Sequence, residues 1–372
     1  MFSTRPFAGR VLAAVGGFCL AVSLSGCAGL DGPMPSLIGM GDSEAARQAR
    51  ITQVFVVSTR KGDSGADSLK SSTDGAHYAL ATLTIPPGHK AGALELPMFG
   101  AAKPGDHITL MSNRELDANE FEGELAAHIS GRIGVNRDVL VYVHGFNTSF
   151  DEARLRAAQI AYDSHFGGVT VMFTWASKSE FLGYVSDKDS ATASRDALQD
   201  LLTTLSETPG VGKIHLLAHS MGGWLAMEAL RQEAIAGKRD LGGHLGQVML
   251  ASRDIDLDVF SSQMAKIGPA DVTVFANRKD RALSLSSAIA QSRVRVGAID
   301  PGNAAERAKI ESLGAKVYDL SSYSDGLIGH GAYAVTPEVL ATIGAGLAAP
   351  RAEDVDKVST IDASGYIEKP EN

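Results

Sequence analysis

Residues 214–223 read Ile214-His215-Leu216-Leu217-Ala218-His219-Ser220-Met221-Gly222-Gly223. A short apolar run ends in a turn of small residues with a serine at its tip, and the stretch after it has helical length. A sharp strand-to-helix turn of this kind lifts a serine hydroxyl to the edge of a sheet, where it can serve as a nucleophile. The residue two before the serine, most often glycine in such turns, is Ala218. Small residues on both sides let strand and helix approach closely around the serine. An ordinary strand-to-helix turn reads the same way, so the rest of the chain has to decide.

The surrounding chain repeats one rhythm. Residues 139–143 form a continuous apolar run, as expected of a strand covered on both faces. Residues 151–165 follow with Leu155, Ala158 and Tyr162 at helical spacing, and Ser149 with Glu152 suits a capping box. Strands are then predicted at 169–173, 214–218, 247–251, 272–276 and 316–319, with helices at 191–206, 221–236 and 283–290. Upstream, strands at 54–57, 78–85 and 108–110 and a helix over 115–132 are expected to complete one edge of the sheet. Alternation of buried strands and helices predicts an α/β fold, a mostly parallel sheet with helices on both faces. Residues 51–350 read as one catalytic domain, and the polar, acidic residues 351–372 as a disordered tail.

The amino-terminal stretch reads as an export signal. Arg5 and Arg10 precede an apolar run at 11–24, too short for a good membrane span, and the run ends in Leu24-Ser25-Gly26-Cys27. That tetrapeptide resembles a bacterial lipobox, so residues 1–26 are expected to be removed and Cys27 to carry lipid, with 27–50 as a tether. An ordinary signal peptide or an uncleaved anchor are the alternatives. Ala28 and Gly29 stand where Asp would mark inner-membrane retention, which points to the periplasmic face of the outer membrane. The other cysteine, Cys19, lies in the signal, so disulfides and thiol catalysis drop out.

The formal charge is −9, and loss of Arg5 and Arg10 leaves 32 basic against 43 acidic residues, or −11. No basic run tracks a phosphate backbone, which argues against nucleic acid as a partner. An acidic surface gives no attraction to anionic lipid either, so membrane attachment is expected through the N-terminal lipid. Protein partners are not legible. Gly210-Val211-Gly212 precedes a strand, the wrong context for a nucleotide loop.

In the expected chain order, the acid after Ser220 is Asp280, in Asn277-Arg278-Lys279-Asp280 past the 272–276 strand. A surface ion pair with its basic neighbours is the alternative, and Asp256, among Asp254, Asp256 and Asp258, is the substitute acid. The base is His330, flanked by Gly329 and Gly331, and no other histidine follows Asp280. Ser220 would attack a carbonyl carbon, His330 would shuttle the proton and Asp280 would orient the imidazole. His219 would point away from its neighbour and pack the turn. Backbone N–H groups of Met221 and Phe146 would stabilise the oxyanion, Phe146 from the turn His144-Gly145-Phe146-Asn147. His144 has no second His or Cys at ligand spacing, so neither a metal nor an organic cofactor is expected. Trp175, Phe181, Tyr184 and Trp224 are candidates for a substrate pocket, and the 175–190 loop for a lid; tucking under the loop would account for its aromatics equally well.

Nine pieces in order carry a family resemblance. They are 54–60, 85–90, 141–150, 173–177, 189–198, 214–222, Asp254-Ile255-Asp256, 277–280 and Gly329-His330. On these the chain resembles the bacterial α/β-hydrolase family of unknown function 900, a branch of the esterase/lipase-like superfamily, over about residues 51–345. The resemblance implies Ser220, Asp280 and His330 as nucleophile, acid and base, and a charged pair, Arg195 with Asp189, near the site edge. Two departures are Trp175-Ala176-Ser177 for the more usual Trp-Pro-Ser, and Gly223-Trp224 after the turn where the family often has Asn-Arg. The expected activity is hydrolysis of carboxylic esters through an acyl-enzyme. Lipase or phospholipase, thioesterase or amidase action would use the same residues. A non-catalytic envelope protein on the same fold is the alternative of a different class.

Overall fold

The computed structural model describes residues 44–60, 76–177, 183–252, 255–279, 296, 299–323 and 331–348. Nine strands form one sheet: β1 (Arg50–Ser58), β2 (His77–Ile85), β3 (Thr109–Leu116), β4 (Val139–Val143), β5 (Val169–Thr174), β6 (Ile214–His219), β7 (Leu245–Ala251), β8 (Val272–Ala276) and β9 (Ala315–Asp319). Their spatial order is β3-β2-β1-β5-β4-β6-β7-β8-β9. The strands from β1 through β9 in that order are parallel, while β2 and β3 join antiparallel at one edge. This is the α/β-hydrolase type of architecture, and the front of the chain completes the sheet edge as expected.

The helices are α1 (Glu44–Gln48), α2 (Ala118–Ser130), α3 (Phe150–Asp163), α4 (Tyr184–Ala193), α5 (Arg195–Glu207), α6 (Met221–Ile235), α7 (Leu257–Ile267), α8 (Ala304–Glu311), α9 (Ala332–Val335) and α10 (Pro337–Leu347). Every residue of β4 and β5 is buried, because helices cover both faces there. One apolar core lies under α2, α5, α6 and α7, with Phe121, Leu202, Leu225 and Phe260 at its centre. The other lies under α3 and α10, around Leu140, Ala157, Ile160 and Leu340.

Ser149 caps α3 by accepting the Glu152 N–H, while the full reciprocal box is at Asp117 and Glu120 of α2. Residues 184–190, expected as loop, are helical in α4. Its inward residues are Asp187 and Ala191, which make no apolar stripe to read. β3 extends to Leu116, through residues expected to begin a helix. The expected helix at 283–290, the signal, the tether up to residue 43 and the tail lie outside the described residues. No helix among the described residues is long and apolar enough to cross a membrane.

Candidate active site at the carboxyl edge of the sheet

Ser220 joins β6 to α6 with φ 52° and ψ −121°. An L side chain in such a conformation costs on the order of 1–3 kcal/mol and persists only where the surroundings hold it. Here the Ser220 N–H donates to Ala251 O at 2.9 Å, and the Gly223 N–H donates back to Ser220 O at 2.9 Å. Two glycines close the turn from outside. A Cβ on Gly222 would lie 2.3 Å from His144 O, and one on Gly145 would lie 2.6 Å from His219 Nδ1 and 3.0 Å from Ser220 Cβ. The loop after β4 therefore presses against the serine itself. Ser220 is buried, and so is Ser252, whose hydroxyl has no partner among the described residues. Ser252 follows Ala251, the carbonyl that holds the Ser220 N–H, and sequence reading gave no sign of it.

Both expected oxyanion donors flank that contact. Met221 opens α6, so its N–H has no acceptor within the helix and stands at the positive end of the helix dipole. Phe146 follows Gly145, and its N–H makes no backbone hydrogen bond among the described residues. Its ring packs edge-on against Tyr184, centroids 5.5 Å apart.

A partly buried cation holds this loop from behind. Arg60, just past β1, donates from Nε to Thr174 Oγ1 (2.8 Å), from Nη1 to Ser177 O (3.2 Å) and from Nη2 to Thr148 O (2.7 Å). Burial pulls its pKa down to about 10 against the opposing pull of Asp187, so it stays charged at neutral pH. Asp187 is itself buried and accepts the Ser177 hydroxyl at 2.6 Å. Sequence reading passed over both residues. The signal for Arg60 was its place at the end of the 54–60 piece.

His144 lies inside the same network. Its Nδ1 is 2.8 Å from Gly145 O, while Nε2 meets the Thr174 hydroxyl (2.9 Å), the Trp175 N–H (3.3 Å) and Arg60 Nη2 (3.4 Å). Nδ1 is the donor and Nε2 the acceptor. Desolvation, with the Arg60 charge, pulls the ring down to about 3, so it is neutral. Neither nitrogen is left for a metal.

Trp175, read as either a pocket wall or a residue tucked under its loop, is completely buried. Its indole stacks on His144 (5.1 Å, 13°) and donates to His144 O at 3.1 Å, so it is a prop for the loop. Tyr184 and Trp224 are partly buried against the core beside the site. Arg195 pairs with Asp196 at 3.1 Å, and Asp189 is exposed; the buried carboxylate of that segment is Asp187. Asp256 caps α7 by accepting the Asp258 and Val259 N–H groups, a structural use of the substitute acid. His219 stacks on Tyr333 at 4.7 Å. Asp280, His330, Phe181, Asp254 and Cys27 lie outside the described residues.

A different His–Asp pair is described. Asp138 Oδ1 accepts the Lys213 N–H (2.7 Å), its Oδ2 lies 3.3 Å from His215 Nε2, and His215 Nδ1 accepts the Gln247 N–H (3.0 Å). The composition is that of a catalytic dyad, but the place is not. Asp138 precedes Val139, which pairs with Ile214 at the amino end of β6. His215 is five residues before Ser220, about 16 Å along a strand. The pair ties β4, β6 and β7 together at the far edge from the serine.

The family model for alpha/beta hydrolases of unknown function, DUF900, matches residues 117–346, more than half of the chain. The chain belongs to that family. Solved structures share a distant likeness. A lipase-esterase related protein from Clostridium acetobutylicum is 11% identical over 56% of this chain and 93% of its own, with a TM-score of 0.33. A predicted CIB-like hydrolase from Thermoplasma acidophilum is 13% identical over 57% and 86%, TM-score 0.31. An esterase from Rhizomucor miehei is 12% identical over 82% and 88%, TM-score 0.35. No curated protein matches the chain.

Proposed function

We propose that the protein is a serine hydrolase that cleaves carboxylic esters through an acyl-enzyme, with Ser220 as nucleophile. The observation that carries this is the strained Ser220 backbone at the carboxyl edge of a parallel sheet, pressed by Gly145 and followed by a helix start. The Met221 and Phe146 N–H groups would receive the oxyanion of the tetrahedral intermediate. His330 would take the serine proton and return it to the leaving alcohol, and Asp280 would hold the imidazole. Tyr333 supports His330 in that role. It is three residues further along the chain, and its ring lies on His219, the neighbour of Ser220. Three residues span at most about 10 Å of chain, which limits how far His330 can stand from Tyr333. The lipobox-like Leu24-Ser25-Gly26-Cys27 supports export and lipid attachment at Cys27.

The test is hydrolysis of p-nitrophenyl esters of increasing chain length by protein beginning at residue 28, beside Ser220→Ala. Turnover that disappears in Ser220→Ala, with folding unchanged, is the expected result. Equal turnover in the variant, or none in either, would count against the reading. The second outcome would favour a non-catalytic envelope protein.

A further inference from the structure

Most large apolar side chains among the described residues are buried, but one loop exposes three of them. Leu96 is 51%, Met98 87% and Phe99 91% exposed. Between Glu95 and Lys103 the chain reads Leu-Pro-Met-Phe-Gly-Ala-Ala, without a charge. Leu110 and Met111, at the start of the edge strand β3, are also exposed. A cluster of uncovered apolar groups of this kind marks a contact surface.

Its place in the fold is fixed by strand register. The loop leaves β2 after Ile85, which pairs with Arg50, the first residue of β1. It returns at Ile108, whose N–H donates to Glu95 O at 3.0 Å, just before Leu96. Both roots of the loop therefore lie at the amino end of β1. β1 runs parallel to β5, β5 to β4 and β4 to β6, so this end is opposite the edge that carries Ser220. It is also the end at which the chain arriving from Cys27 enters the sheet, 23 residues downstream at Arg50, beside the exposed Ile51.

We propose that the loop bearing Leu96, Met98 and Phe99 docks on a phospholipid membrane surface, which leaves the Ser220 edge turned away from that membrane. The orientation clause rests on the serine-hydrolase reading, whereas the docking does not. A bilayer interface accepts apolar side chains from a narrow loop without a complementary shape. A stable protein partner needs roughly 800 Å² from each side, far more than three side chains offer. Lys103, which closes the apolar segment, and Lys90, five residues before Glu95 at its other end, are both exposed and can extend their ammonium groups to the phosphate level. The net charge, −9 for the whole sequence and −11 from residue 28 onward, disfavours an anionic surface, so a zwitterionic one is the fitting partner. A domain held this way draws its ester from the aqueous side and not from the bilayer it sits on. That narrows the substrate class to esters reachable from solution.

The experiment uses protein beginning at residue 28, which carries every described element and no lipid, so binding reports on the loop alone. It is floated with vesicles of phosphatidylethanolamine and phosphatidylcholine. The combined variant Leu96→Ser, Met98→Ser, Phe99→Ser is expected to lose roughly tenfold or more in vesicle partitioning. Its p-nitrophenyl acetate turnover and urea midpoint should stay unchanged. In a Phe99→Trp variant, the indole signal gained over the parent protein, whose own background comes from buried Trp175 and partly buried Trp224, should shift to the blue on vesicles and be quenched by brominated phosphatidylcholine. Equal partitioning of the triple variant, or an unquenched indole, would overturn the proposal. So would concentration-dependent self-association that the triple variant abolishes without any vesicle binding, since that assigns the surface to a second copy. Vesicle binding by protein that hydrolyses no ester would support docking and count only against the hydrolase reading.

Discussion

At the residue scale, Ser220 depends on neighbours that tolerate almost no added volume. Alanine is usually favoured over glycine in a helix by roughly 0.5–1 kcal/mol. At Gly222 its Cβ would lie 2.3 Å from His144 O, so overlap outweighs propensity. Gly222→Ala is expected to cost about 1–3 kcal/mol in a urea titration and to lose activity at temperatures where it is still folded. Arg60 acts one step further back. Its bond to Thr148 O and its contact with His144 hold the loop that ends in the Phe146 N–H. Arg60→Ala is expected to lower kcat about 10- to 100-fold with little change in KM, and Arg60→Lys to fall between. Circular dichroism separates that result from unfolding. His144 adds a pH effect of definite sign. Its folded pKa of about 3 lies below the ordinary histidine value, so its contribution to stability is complete above about pH 6.5. That contribution is lost as pH falls towards 3.

At the element scale, the connection after β2 clamps the segment that follows His330. A Cβ on Gly92 (φ 87°) would lie 2.2 Å from Val335 O, and Arg156 Nη1 bridges Gly92 O (3.4 Å) and Ala334 O (3.3 Å) in α9. His89 anchors the connection, with Nδ1 2.8 Å from Glu95 and Nε2 2.8 Å from Asp163 at the end of α3. Carboxylates only accept, so both ring nitrogens donate and the ring is an imidazolium. Desolvation opposes that charge, but the bonds and charges of Asp163 and Glu95 prevail and raise the pKa above its usual value. The stabilisation is therefore full below about pH 6.5 and is lost as pH rises through the raised pKa. His89→Ala is expected to cost about 3 kcal/mol near pH 6, and less near pH 9, in paired urea titrations.

The elements legible in sequence were those with a pure pattern. β4 and β6 are unbroken buried runs, and α6 follows its small-residue turn directly. α4 was hidden because it buries a carboxylate and an alanine. α7 was hidden between Asp256, which caps it, and a glycine end, within a stretch scanned for acids. Arg60 ends a strand-like run, and nothing local in the sequence shows that Thr148 and Ser177 enclose it. Trp175 was left open between two roles for the opposite reason: an aromatic on an active-site loop reads the same whether it faces substrate or stacks beneath the backbone.

At the scale of the whole molecule, the two edges of the parallel sheet divide the work. The carboxyl ends of β1, β4, β5, β6 and β7 gather Arg60, the Gly145–Phe146 turn, Trp175, Ser220 and Ser252. The amino ends carry the His215–Asp138 tie and the exposed loop around Phe99. Breaking the tie should therefore cost stability and leave chemistry intact. His215→Ala is expected to lower the urea midpoint while kcat at a temperature below unfolding stays within about twofold. A catalytic role for that pair would instead show as a collapse of kcat.

Whether Ser220 is the nucleophile is decided by a fluorophosphonate followed by peptide mass analysis. One equivalent of phosphonyl adduct is expected on the peptide containing Ser220, formed in step with loss of esterase activity and absent from folded Ser220→Ala. An adduct on another residue, or inhibition that persists in Ser220→Ala, would contradict that role.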